Sequence, residues 1–216
     1  LTIDHIYQIG ILSIPIVILT SLFSGMVTSV QAAYQFESGF VPNWFVGSIV
    51  GESILLELAP MITGLVMTGR IGATIAAEIG TMRVSEQIDA LESLSFDPIS
   101  FLILPRILAA AVMFPVLVVV ADFFGIIGGL IAAVNSMDVS SVEFIRGLRS
   151  WFRPWDAWFG LIKGLFFGLA ITSIACYQGY YTTGGAIGVG KSTTATVVIS
   201  CVAIVFLDYI LAAILL

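Results

Sequence analysis

Histidine, cysteine and charge are all scarce in this sequence. One histidine, His5, among 216 residues leaves no set of imidazoles for a zinc site and little basis for a His-centred catalytic triad. The two cysteines, Cys176 and Cys201, stand in apolar stretches. They offer neither a disulfide framework nor a metal-ligand cluster, and read as buried apolar side chains. Charged residues make up 10% against 59% hydrophobic, with a mean hydropathy of +1.09, outside the range of soluble domains. That composition describes an integral membrane protein. Eight basic against fourteen acidic residues leave a net charge of −6, so the basic surplus that neutralises nucleic-acid phosphates is missing. Hydrolase chemistry, redox chemistry and nucleic-acid binding are thereby set aside.

What is present is a series of long apolar runs. The chain opens at Leu1 rather than Met and enters an uncharged run from Ile6 to Phe36, longer than the core of a signal peptide. A natural N-terminal segment is expected to be missing. At 1.5 Å per residue a bilayer needs about 20 apolar residues, which places spans near residues 9–32, 48–76, 98–134, 156–178 and 193–214 of one membrane domain, 1–216. Asp97-Pro98 reads as N-cap and first helical residue of the third span, since proline lacks a donor that would go unpaired there. Pro115 is a candidate kink. The polar stretch Asn135 to Trp155 is expected outside the membrane with a short amphipathic helix, and Trp151, Trp155 and Trp158 mark re-entry at the interface. Orientation is undecided by charge: Arg70, Arg83, Arg106 and Lys191 on one side stand against Arg146, Arg149 and Arg153 on the other.

Small residues recur at spacings of three and four. Gly69, Gly72, Ala73, Ala76, Ala77 and Gly80 do so in the second span, and Gly160, Gly164 and Gly168 form a strict row in the fourth. In lipid such faces let helices approach closely, either within one chain or across a homodimer seam. Gly185 to Ser192 fits the P-loop pattern G-x-x-x-x-G-K-[ST] at every position. A P-loop requires a buried parallel strand before it and a soluble helix after it, and this chain has room for neither. The stretch Gly179 to Gly190 is therefore read as a glycine-rich loop beside the membrane, with Lys191 a helix-end charge.

Between the second and third spans, Val84, Ile88 and Leu91 follow i, i+4, i+7 while Glu86, Asp89 and Glu92 cover another side. This predicts a short amphipathic surface helix over Val84 to Leu94, either solvated or docked in a partner's groove. Ionisable residues inside spans are costly and mark pathways or buried pairs. Glu52 and Glu57 are five positions apart, about 140° around an α-helix. Only one is then expected to line a pathway. Glu57 shares its face with Pro60 and Gly64 and is the candidate. Asp122, Lys163 and Asp208 are candidates for pairing across helices.

Several segments resemble the MlaE-type (YrbE) permeases: Glu57-Leu58-Ala59-Pro60, Thr68 to Ala73, Ala77 to Arg83, Glu86 to Glu92, Asp97-Pro98 and Pro105-Arg106. The likeness continues through Gly179-Tyr180, Gly184 to Ala186, Gly188 to Gly190, Thr193-Thr194 and Asp208-Tyr209. It implies an all-α integral membrane protein with five transmembrane helices, a short cytoplasmic coupling helix between helices 2 and 3, and a short periplasmic helix between helices 3 and 4. It implies the permease subunit of an ABC transporter moving phospholipids between inner and outer membranes and maintaining outer-membrane lipid asymmetry. The location would be the bacterial inner membrane. The partners it implies are a second copy of the chain, a cytoplasmic ABC ATPase pair, a STAS-domain protein and a periplasmic MCE-domain hexamer. No cofactor would bind this chain, the ATP and Mg belonging to the ATPase, and no catalytic or metal site is expected.

On this resemblance Glu86, Gln87, Ile88, Asp89, Leu91 and Glu92 couple to the ATPase, and Glu57 lines the lipid pathway. Some members carry Arg directly before that glutamate, where this chain has Leu56. The opening amphipathic segment of the family would survive only as Leu1 to Gln8. The alternative reading is a secondary transporter driven by protons through Glu57, Asp122 or Asp208.

Overall fold

The computed structural model describes residues 2–35, 42, 44–136 and 139–216, and the regular structure among them is helical. Leu1 of the opening segment and Phe36 at the end of the first uncharged run lie outside the described residues. Among the described residues five helical stretches are long and apolar enough to cross a bilayer: Thr2–Gln35, Trp44–Val84, Ile99–Asn135, Pro154–Tyr180 and Gly185–Leu215. The chain is thus an all-α integral membrane protein.

The opening residues form α1 (Thr2–Ile9), which buries Ile9 and exposes Ile3 and Tyr7. A 3-10 turn over Ile11–Ser13 leads into α2 (Ile14–Gln35). The second span is not one α-helix. It is α3 (Trp44–Ser53), a π-turn (Ile54–Leu58), α4 (Ala59–Met67), a second π-turn (Thr68–Gly72) and α5 (Ala73–Val84). A further π-turn, Ile99–Ile103, opens the third span before α7 (Leu104–Ser136).

Two of these π-turns have a cause in the sequence. Pro60 and Pro105 each stand two residues beyond one. A proline inside a helix has no N–H to give and clashes with the carbonyl four residues back. Here those carbonyls belong to Leu56 and Phe101, each inside a widened turn. The bonds that close these turns run over five residues, from Ala59 N–H to the Ile54 carbonyl and from Leu104 N–H to the Ile99 carbonyl. The turn at Thr68–Gly72 closes in the same way, Ala73 N–H to the Thr68 carbonyl, without a proline after it. Pro115 lies inside α7, which continues through it.

Between spans two and three stands α6 (Gln87–Ser93). The helix expected over Val84 to Leu94 is shorter than its periodicity suggested. Val84 ends α5, and Glu86 adopts the left-handed conformation at φ 60°, which stops one helix and starts the next. Asp97 caps the third span: its carboxylate accepts from the Ile99 N–H at 3.2 Å and the Ser100 hydroxyl at 2.6 Å. The Ser100 hydroxyl first, then the Ile99 N–H, hold the Asp97 carboxyl below its usual range. The amphipathic helix after α7 is α8 (Ser141–Trp151), entered through a capping box of Ser140 and Glu143. The last two helices are α9 (Pro154–Tyr180) and α10 (Gly185–Leu215). The expected glycine-rich loop is confined to the few residues between them. Gly185 to Ser192 forms the first two turns of α10, because Gly184 at φ 90° and Gly185 at φ 66° take the turn and leave the residues after them free to continue as helix.

The chain divides into two compact units. Unit 1 comprises Leu1–Ser13, Gly64–Phe114 and Lys163–Leu216, and unit 2 comprises Ile14–Thr63 and Pro115–Ile162. In unit 2, helices α2 and α7 meet backbone to backbone: a Cβ on Gly25 would fall on the Gly125 carbonyl, and one on Gly128 on the Leu22 carbonyl. Ser21, Gly25 and Ser29 make a buried row along α2. Helices α3 and α8 meet reciprocally, Gly47 against the Phe144 carbonyl and Gly147 against the Trp44 carbonyl. Gly160 rests 2.8 Å from the Leu55 carbonyl, measured from an added Cβ. In unit 1, Gly72 packs on Ile171 and Thr196, Gly168 on Phe114, and Gly164 is buried. Gly69 is exposed and, among the described residues, has nothing within 4 Å of an added Cβ. The tightest approaches thus include faces, on α2, α3 and α8, that the spacing of small residues had not singled out.

Gly25→Val should destabilise the protein by about 1–3 kcal/mol through overpacking, whereas Gly69→Ala should leave unfolding of the monomer unchanged. Thermal unfolding in detergent compares them, and equal midpoints would contradict the α2/α7 contact.

Candidate functional site

Within unit 2 a cavity of about 580 Å³ is lined by polar residues of α2 and by the first π-turn with the end of α3. Thr28, Gln31 and Gln35 face it from one side, and Glu52, Leu56 and Glu57 from the other. The two glutamates were expected on different faces, an inference that assumed 3.6 residues per turn throughout. In the π-turn the bonded partner lies five residues away instead of four. Glu52 and Glu57, separated by five, therefore share one cavity. Pro60 and Gly64, expected on the face of Glu57, are not among its walls. Both are buried, and Gly64 packs on Phe167 and Ile204.

The membrane-embedded charges are disposed unequally. Lys163 is fully buried and its Nζ lies 2.7 Å from Asp208 Oδ1, the expected pairing of two of the three candidates. Asp122 Oδ1 is buried with no hydrogen-bond partner. Near the start of the third span Arg106, 3% exposed, donates to Glu78 Oε2 and to the Leu102 carbonyl, both at 3.1 Å. Arg70, in the second π-turn, donates to the hydroxyl of buried Ser13. Among the described residues no cluster of three metal-ligating side chains occurs.

Helix α6 is fastened at both ends of its acidic side. Arg83 Nη1 meets Asp89 Oδ1 at 2.5 Å, and the Arg83 guanidinium lies 5.6 Å from the centre of the Tyr180 ring. The Tyr180 hydroxyl donates to Glu92 Oε1 at 3.1 Å. These polar links are exposed, worth about 0.2–1 kcal/mol apiece. Ile88, fully buried, contributes more, about 1.5–3 kcal/mol. Leu91 is half-buried, while Glu86, Gln87, Asp89 and Glu92 face outward. The chain thus presents a polar, acidic ridge on a short helix pinned by one apolar anchor.

Comparison with known proteins follows the same outline. The sequence profile of the family described as Permease MlaE matches residues 2–214. A probable ABC transporter permease protein of Rickettsia prowazekii is 41% identical over 211 residues, covering 98% of this chain and 81% of the relative. The intermembrane phospholipid transport system permease protein of Haemophilus influenzae is 35% identical over 218 residues, covering 100% and 82%. The chloroplastic TRIGALACTOSYLDIACYLGLYCEROL 1 protein of Arabidopsis thaliana is 36% identical over 212 residues, covering 98% of this chain and 60% of the plant protein.

Lys163→Met should cost about 3–5 kcal/mol, because it leaves the Asp208 carboxylate buried without its cation. Lys163→Met with Asp208→Leu should recover much of that loss. A double variant no more stable than the single one in thermal unfolding would refute the pairing as the source of the penalty.

Proposed function

Because the chain belongs to the MlaE permease family, we propose that it is the membrane subunit of an ABC transporter carrying phospholipids between the inner and outer membranes, and so maintaining outer-membrane asymmetry. The observation that carries this reading is the 580 Å³ cavity in which Glu52, Glu57, Gln31 and Gln35 stand among the apolar walls of Ala32, Ile49, Leu56 and Leu58. A cavity of mixed lining in a hydrocarbon-facing protein suits an amphiphile, its headgroup at the carboxylates and amides and its acyl chains along the apolar walls. The H. influenzae relative, named for intermembrane phospholipid transport, supports the same substrate class. The chain would sit in the inner membrane as a homodimer, with exposed Gly69 a candidate for the seam.

This subunit performs no covalent chemistry in the proposed scheme. A cytoplasmic ATPase pair, with an associated STAS-domain protein, would bind ATP and Mg and close upon itself. Helix α6 would take up that movement through Glu86, Gln87, Asp89 and Glu92, while Ile88 and Leu91 keep it attached to the chain. A lipid headgroup in the cavity would then be passed to or from a periplasmic MCE-domain hexamer. Gly185 to Ser192 would bind no nucleotide, since it opens a helix long and apolar enough to span the membrane and is preceded by the helix α9 where a P-loop needs a buried strand.

Three measurements test this scheme. Glu86→Lys with Glu92→Lys should reduce co-purification of the ATPase about tenfold or more, by reversing charge on the docking ridge; unchanged co-purification would reject α6 as the coupling element. Lys191→Ala should leave ATP turnover of the assembled complex intact, and nucleotide binding by the isolated chain that this change abolishes would restore the P-loop. Glu52→Gln with Glu57→Gln should preserve folding and assembly while impairing the outer-membrane barrier in cells. Normal barrier function at normal protein level would remove the cavity from the lipid path.

A further inference from the structure

A second cavity, of about 230 Å³, lies wholly within unit 1 and has a different character. Arg70 and Arg106 line it together with His5 and Glu78, and Leu12 and Ile75 form part of its apolar wall. Its formal charges sum to one positive, two guanidiniums against one carboxylate. Arg106 is almost completely buried, yet its donors are incompletely used. The terminal nitrogens reach Glu78 and the Leu102 carbonyl, while Nε has no hydrogen-bond partner. Leaving a buried cationic donor unmet is costly. Arg70 likewise spends one nitrogen on Ser13 at the edge of the same cavity.

We propose that this pocket binds a phosphate group, and specifically the phosphate of a membrane lipid. Two guanidiniums present the forked donors that match phosphate oxygens better than a point charge does. The volume is below the ~300–1,000 Å³ typical of a site enclosing a whole drug-sized ligand, so it admits a headgroup and leaves the acyl chains outside. Leu12 and Ile75 supply an apolar flank along which such chains could run. The neighbouring α1 exposes Ile3 and Tyr7 in the manner of a helix lying at a bilayer surface, where lipid phosphates are concentrated. A free phosphate would use the same guanidiniums and gain nothing from the apolar wall. The site is independent of the Glu52/Glu57 cavity, whose lining residues all belong to unit 2.

The test is native mass spectrometry of the purified full-length protein in detergent. It is titrated in turn with phosphatidylglycerol, with diacylglycerol of the same acyl chains, and with inorganic phosphate. Phosphatidylglycerol should be retained at concentrations about tenfold or more below diacylglycerol, the difference expected of charge-assisted hydrogen bonds. Arg70→Gln, which keeps a donor for Ser13 and removes the cation, should largely erase that preference. Leu12→Trp, which fills the apolar wall and leaves every charge in place, should erase it too and serves as the second variant if the first unfolds. Lys191→Ala, which removes a cation outside both cavities, should leave it unchanged, so the loss is specific to this pocket. Equal retention of the two lipids by the unaltered protein, or a preference that survives both pocket variants, would overturn the proposal. Displacement of phosphatidylglycerol by equimolar inorganic phosphate would assign the pocket to free phosphate instead and overturn the lipid assignment.

Discussion

In hydrocarbon a backbone N–H or carbonyl has no water to fall back on, so every turn of a spanning helix must close its own hydrogen bonds. Proline cannot supply one. At Pro60 and Pro105 the chain keeps its helix by widening the preceding turn, and that adjustment sets where every side chain before the proline points. The turn over Ile54–Leu58 brings Glu57 round to the cavity that Glu52 already faces. The turn over Ile99–Ile103 comes directly before the segment that carries Arg106. The third, over Thr68–Gly72, contains Arg70. Each π-turn thus lies in or just before a segment bearing an ionisable residue that lines a cavity.

The same solvent argument sorts the charges. Lys163 and Asp208 neutralise one another in direct contact, and the pair reads as structural, costly to halve and inexpensive to replace as a whole. Arg106 is different because its bonds to Glu78 and Leu102 leave a buried donor over. A guanidinium that borders a cavity can receive an anion there, whereas Lys163 meets its carboxylate away from both cavities. The distinction separates the two kinds of buried charge in this chain without appeal to their position in the sequence.

Packing follows from backbone approach more than from side-chain bulk. Gly25 against Gly125, and Gly47 with Gly147, place carbonyls where a methyl group would collide. Helices held this closely leave no room for a side chain between their backbones. At α6 the connection is lighter, a single buried isoleucine with exposed links from Arg83 and Tyr180.

Composition and hydropathy alone determined the membrane class and the number of spans, because burial in lipid demands long apolar runs whatever the packing. Local chemistry was equally legible: Asp97-Pro98 starts a helix, and the amphipathic stretch after α7 forms one. The periodicity around Val84 to Leu94 found a surface helix but overran it, since no spacing rule reveals that Glu86 turns left-handed. Pro60 was visible as a helix disturbance, yet its consequence, Glu52 and Glu57 on one cavity, required the tertiary structure. Period counting assumes a uniform helix, and one added residue in one turn invalidates it for everything beyond. Which glycines meet a neighbouring backbone, and which arginine is left a donor short, likewise depended on what other helices place opposite them. A single sequence does not contain that information in any local pattern.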